Sequence, residues 1–141
     1  MQRPATVRHR TSLFDEACAI VEAEFGEDLA LDDIARRVAS SRRQLQRAYA
    51  EIGDTTFRDH LTAVRMRRAA EMLEGRTLTV REISHRVGYR QPAQFAKAFR
   101  RHHGLAPSDY RARARFGPAP VAPAATDAPV ALVPPFTARA A

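Results

Sequence analysis

The 141-residue chain has one cysteine, Cys18, and one lysine, Lys97. A lone thiol excludes an intramolecular disulfide and offers no cysteine partners for a metal, and it fits a reducing cytoplasm. Long hydrophobic runs are missing as well. No stretch approaches the roughly 20 apolar residues of a membrane span, and no apolar segment of the kind a secretion signal needs follows Arg3, Arg8 and Arg10. No run alternates apolar and polar residues with period two, which leaves no half-buried strand. A Gly-rich phosphate loop and a serine nucleophile elbow are also absent, so common enzyme signatures find no place.

What the chain has in excess is arginine. Lysine and arginine together number 23 against 16 acidic residues, a formal charge of +7. That balance suits a polyanionic partner, and by itself equally suits a soluble protein from a GC-rich genome, whose codons favour Arg and Ala over Lys. The arginine fork donates two parallel hydrogen bonds and suits phosphate and guanine better than an ammonium does.

Prolines 118, 120, 123, 129, 134 and 135 stand among alanines in the last segment, where Asp127 and Arg139 are the charged residues. Residues 116–141 are therefore expected to form a disordered tail. Residues 1–10 lack a periodic pattern and are expected to be disordered too. That leaves residues 11–115 as one folded domain, long enough to bury a core.

Within 11–115 apolar residues recur at three and four, and the punctuation fits seven helices, an all-α domain. Ser12 and Asp15 offer a capping box for the first, which buries Leu13, Ala17, Ile20, Val21 and Phe25 before Gly26. The second runs from about Leu31 to Val38 and the third from about Ser41 to Ile52, burying Leu45, Ala48 and Tyr49. A long fourth helix over about 56–73 carries Phe57, Leu61, Val64, Ala69, Met72 and Leu73. The fifth opens at a capping box, Thr79 to Glu82, and the sixth takes Pro92 in its first turn and buries Phe95, Ala98 and Phe99. A seventh opens at Pro107.

The most informative feature is an internal repeat. Leu31, Ile34, Ala35, Arg37 and Val38 recur as Val80, Ile83, Ser84, Arg86 and Val87, and Gln44, Leu45, Arg47, Ala48 and Tyr49 recur as Gln94, Phe95, Lys97, Ala98 and Phe99. The second copy's turn is one residue longer. Each copy reads helix, tight turn, helix, with a small residue permitting close packing, which is helix-turn-helix geometry. The first unit spans 31–53, the fourth helix connects, and the second unit spans 79–104.

The second helix of each copy turns a polar, basic face outward. Arg43, Gln46 and Arg47 form it in the first copy, with Arg42 and Gln44 at the margins. Ala93, Gln94 and Lys97 form it in the second, with Arg90 and Gln91 toward the N-terminal end and Arg100 further along. Any solvated helix shows polar residues opposite its apolar stripe. The repetition of an Arg/Gln face after each small-residue turn is what points to double-stranded DNA. Arginine or lysine addresses guanine O6 and N7, glutamine addresses adenine N6 and N7, and Ala93 can touch a thymine methyl.

These motifs resemble the DNA-binding domain of the arabinose-operon regulator (AraC/XylS) family over about residues 12–115. The resemblance rests on Ile83-Ser84-His85-Arg86-Val87-Gly88-Tyr89, on Phe95 through Gly104, on Pro107-Ser108-Asp109-Tyr110-Arg111, on Leu45-Gln46-Arg47 and on Arg65-Met66-Arg67-Arg68-Ala69. It implies seven helices, with the fourth holding two units apart and both recognition helices entering successive major grooves, about 34 Å apart. It also implies that Arg43, Gln46, Arg47, Ala93, Gln94 and Lys97 read bases. Ala30 stands where the family commonly has a Ser or Thr cap and Asp54 where it commonly has glycine, so the first unit is expected to be the looser one. With no sequence left for a sugar-binding or dimerising domain, a stand-alone transcription regulator is expected, a monomer on an asymmetric site. Its expected partners are DNA and RNA polymerase, its location the cytoplasm and nucleoid, without membrane, metal or cofactor.

Two other readings compete. An enzyme would need a reactive group, but Cys18 adjoins the apolar stripe of the first helix, His9 lies in the N-terminal stretch, His60 and His85 are isolated, and His102 and His103 are expected to point apart. A sequence-neutral architectural nucleic-acid-binding protein would use the same charge, but backbone binding does not call for amides at groove-facing positions.

Overall fold

The computed structural model describes residues 4–75 and 77–116. Among these, seven α-helices and no strand are found: α1 (Pro4–Glu24), α2 (Leu31–Arg37), α3 (Arg42–Ala48), α4 (Phe57–Glu74), α5 (Val80–Arg86), α6 (Pro92–His103) and α7 (Pro107–Phe116). A π-helical turn, Tyr49–Gly53, continues α3. The all-helical, two-unit architecture expected from the sequence is the one observed. The proline-rich segment lies outside the described residues apart from Phe116, the last residue of α7.

The N-terminus corrects the sequence reading. α1 starts at Pro4, so residues 4–10 are helical. Ser12 therefore lies inside the helix and cannot cap it; its hydroxyl instead faces the Glu16 carboxylate at 3.5 Å. What secures the early turns is not an apolar stripe. Thr11 donates to the Val7 carbonyl at 2.9 Å, and Arg10 forms an ion pair with Glu51 in the π-helical turn.

Two buried clusters divide the chain along α4. Leu61 and Val64 join the first, with Leu13, Phe14, Ala17, Val21, Ile34, Leu45, Ala48 and Tyr49. Met66, Ala69, Ala70 and Leu73 join the second, with Ile83, Val87, Phe95 and Phe99. Ile20, Phe57, Met72 and Ala98, expected inside, are partly buried and, with Val80, pack on these clusters. The connector is thus core to both units. Arg111 of α7 finishes its C-terminal end, donating to the carbonyls of Leu73 at 3.0 Å and Leu78 at 2.6 Å.

The repeat is visible bond by bond. After α2, the N–H of Val38, Ala39 and Ser40 reach the carbonyls of Ile34, Arg36 and Ala35; after α5, Val87, Gly88 and Tyr89 reach Ile83, His85 and Ser84 in the same pattern. Both are Schellman endings, whose residue just past the helix takes the left-handed backbone. Gly88 does so at φ 98°, and Ala39 at φ 57°. The recognition helices end alike: Gly104 closes α6 at φ 83° and Asp54 follows the π-helical turn at φ 54°. The first unit lacks glycine at both left-handed positions. It also lacks a side-chain cap at Ala30, whereas Thr79 and Glu82 make the full capping box in the second.

A stability prediction follows from this asymmetry. The left-handed backbone costs an L-residue about 1–2 kcal/mol, while glycine's greater freedom when unfolded returns about 0.4–1 of that gain. Ala39→Gly should therefore stabilise the domain by about 1 kcal/mol in urea unfolding. Asp54→Gly should gain less, because aspartate tolerates this region better.

Candidate nucleic-acid interface

The two recognition helices are placed by different local devices. Ser41 caps α3, its hydroxyl accepting from the Gln44 N–H at 3.1 Å. α6 has no side-chain cap at Gln91 and starts instead on Pro92. Leu45 and Ala48 on α3, and Phe95 and Phe99 on α6, point into the two cores. That orientation turns the opposite faces outward. Arg42, Arg43, Gln44, Gln46, Arg47, Arg90, Gln91, Ala93, Gln94, Lys97 and Arg100 are all exposed.

The structure sorts the arginines by what holds them. Arg37 pairs with Glu24, Arg67 with Glu22, Arg68 with Glu22 and Glu71, and Arg36 with Asp33. The Arg68–Glu71 pair joins two residues one helical turn apart on the connector. Arg42 faces Asp32 at 3.4 Å across an exposed gap, and Gln44 Oε1 accepts from Ser40 at 3.0 Å. These two marginal positions are partly engaged by their own turn. Among the described residues, no ion pair or side-chain hydrogen bond engages Arg43, Gln46, Arg47, Arg90, Gln91, Gln94, Lys97 or Arg100. Neither recognition helix contains an acidic residue.

A cleft of about 860 Å³ between the units is lined by Arg42 and Gln46 of the first, Gln94 of the second, and Arg58, Thr62 and Arg65 of the connector. Arg58 was not anticipated from the sequence; it lies one residue inside the N-terminus of α4, with nothing in its local pattern to mark it. A second groove, about 630 Å³, runs between the first turns of α1 and α3, with Thr6, His9 and Arg10 facing Ser41, Arg43 and Arg47. The stretch expected to be disordered thus walls one side of the first reading face.

The remaining polar groups serve packing. Tyr49 and His60 are buried, with the hydroxyl 2.8 Å from Nδ1. Burial raises the Tyr49 phenol far above its ordinary range, so it keeps its proton. Burial also pulls the His60 imidazole below its usual pKa, favouring the neutral ring. His60 is therefore not isolated, as its sequence neighbours suggest. The His102 and His103 rings do not point apart either: their centroids are 4.8 Å apart, and His103 lies 4.3 Å from Phe99. Burial, then Asp15 and Glu22, push the Cys18 thiol up to about 12, which leaves almost no thiolate at neutral pH. Among the described residues, no group of three or more His, Cys, Asp or Glu could hold a metal ion, and no helix is long and apolar enough to cross a membrane.

Comparison with known proteins decides the family. The helix-turn-helix domain pattern matches residues 34–113, spanning both turns and the connector. The DNA-binding domain of the global transcriptional factor AdpA, solved in complex with a target DNA, superimposes with a TM-score of 0.67 at 30% identity, covering 72% of this chain and 94% of that one. The chain belongs to the AraC-type helix-turn-helix family. An AraC-type regulator from Chromobacterium violaceum superimposes with a TM-score of 0.70 at 28% identity, over 76% of this chain and 96% of that one. The Msm operon regulatory protein of Streptococcus mutans is 32% identical over 92 residues, which are 65% of this chain and 33% of that protein. The chain spans about a third of the length of the curated relatives it matches. As an AraC-type domain it is a DNA-binding unit of the kind carried by transcription regulators, and the two Schellman turns are the structural form of its two helix-turn-helix motifs.

Proposed function

We propose that this chain regulates transcription by reading two boxes of double-stranded DNA, with α3 and α6 in successive major grooves on one face of the duplex. The observation that carries this reading is the shared cleft, to which Gln46 of one helix and Gln94 of the other both contribute. Arg43, Gln46 and Arg47 read one box; Ala93, Gln94 and Lys97 read the other. Arg42, Gln44, Arg90, Gln91 and Arg100 flank these faces and, with Arg58, meet phosphates that fix register. The two faces differ in sequence, so one chain suffices for an asymmetric site. RNA polymerase is the proposed protein partner, and the cytoplasm with its nucleoid the proposed location.

Selection from a randomised duplex pool at near-physiological salt, followed by sequencing of the bound fraction, tests the reading. Enrichment of an asymmetric motif with two boxes one helical turn apart is expected. Salt-sensitive binding without enrichment would refute base reading and leave only charge-driven attachment.

A further inference from the structure

Arg65 lies on α4 between Val64, the last residue the connector gives to the first core, and Met66, the first it gives to the second. Its side chain leaves the helix and joins three elements. Nε donates to the Phe25 carbonyl and Nη2 to the Glu27 carbonyl, each at 2.8 Å, in the turn after α1. The guanidinium carbon lies 5.8 Å from the centre of the Tyr89 ring, in the turn between α5 and α6. Gly88 makes room for it, since a Cβ there would stand 2.7 Å from the guanidinium.

The surroundings belong to the same seam. Gly26 abuts the end of α5 so closely that a Cβ would lie 2.4 Å from the Arg86 carbonyl oxygen. Phe25 packs against both cores and receives Arg68 at 5.5 Å from its ring centre. A single helix with a unit at each end can bend; a helix whose middle is tied to a turn of each unit is a fixed bracket.

We propose that Arg65 is a positioning residue that fixes the separation and angle of the two recognition helices, and so determines which spacing between two DNA boxes this chain accepts. The inference rests on the two-box reading above. Two reading heads on one body bind as a bivalent ligand, and the second head gains only when the joint places it at its box. One added base pair displaces a box by about 3.4 Å along the axis and turns it by about a tenth of a revolution. A fixed bracket cannot follow that change, whereas a loosened one can. Lysine does not fully take the place of arginine, because a point charge lacks the planar fork that donates to two carbonyls while its centre stays over a ring.

The test uses the full chain and the selected operator, alongside operators with one base pair inserted or deleted between the boxes. Wild type should discriminate against both altered spacings. Arg65→Met should bind the native spacing more weakly and reduce the native-to-altered affinity ratio by about tenfold, with base preference inside each box unchanged. If that variant does not fold, Arg65→Lys keeps stem and charge and should show a smaller loss of the ratio. A ratio unchanged from wild type in the folded variant overturns the proposal. So does a wild type that binds two boxes yet tolerates altered spacing. A wild type that selects no two-box site refutes the underlying reading instead, and this inference falls with it.

Discussion

Phe99→Ala is expected to destabilise the domain by about 3–5 kcal/mol, read as a lower urea midpoint with an unchanged slope. Phe99 is fully buried at the centre of a ring cluster, with Phe95 at 5.7 Å, His103 at 4.3 Å and Tyr110 at 5.4 Å between centroids. Its loss leaves a cavity whose walls come from α4, α6 and α7 and cannot all move inward, because His103 Nε2 lies 3.2 Å from the Met66 carbonyl and Arg111 holds the end of α4. That loss is a large share of the 5–15 kcal/mol that stabilises a typical domain. The consequence reaches function, since α6 is positioned by Phe95 and Phe99 alone among its fully buried side chains. A loss below about 1 kcal/mol would mean that the cluster is not a packed core.

Phe99 was legible in the sequence because its role is local and repeated. The helix stops are chemical signals within four residues of one another, as in the box where Thr79 N donates to Glu82 and Glu82 N donates to Thr79 at 2.8 and 3.0 Å. The repeat doubled that signal, and each recognition face followed from the apolar stripe opposite it. Long-range contacts were not legible. Arg10 and Glu51 are 41 residues apart, and without their pairing the polar stretch 4–10 gives no reason to be helical. Arg65 is less visible still, because its acceptors are backbone carbonyls, 38 and 40 residues away, that every sequence position possesses. Asp54 lies between these cases: that it stands in a glycine position was legible, but the π-helical turn before it was not. That turn ends at Gly53, where a Cβ would come within 2.4 Å of the Phe14 ring.

The relation between fold and charge explains why the candidate site reads as it does. Arginines serve three ends here: exposed ion pairs of small energetic worth, carbonyl-binding struts at Arg65 and Arg111, and the uncommitted side chains of the reading faces. Composition shows only their sum. The acidic residues that neutralise the first class lie on α1, α2, α4 and the π-helical turn, and neither α3 nor α6 carries one.

Arg47→Ala and Lys97→Ala should each cost about 1–3 kcal/mol of specific binding on the selected operator, measured by fluorescence anisotropy. Each loss should be confined to one box: the Arg47 variant should no longer distinguish bases in the first, the Lys97 variant in the second. The two side chains lie in separate units with no shared partner, so the double variant should lose nearly both amounts. Binding to unrelated duplex should change little, because affinity for any duplex comes from phosphate contacts elsewhere on the surface. Arg42 supplies the internal comparison. It is already drawn toward Asp32, so its replacement should weaken all sequences slightly and equally. If Arg47→Ala or Lys97→Ala behaves as Arg42→Ala is expected to, those residues are phosphate contacts, and base reading must reside in the glutamines that line the cleft.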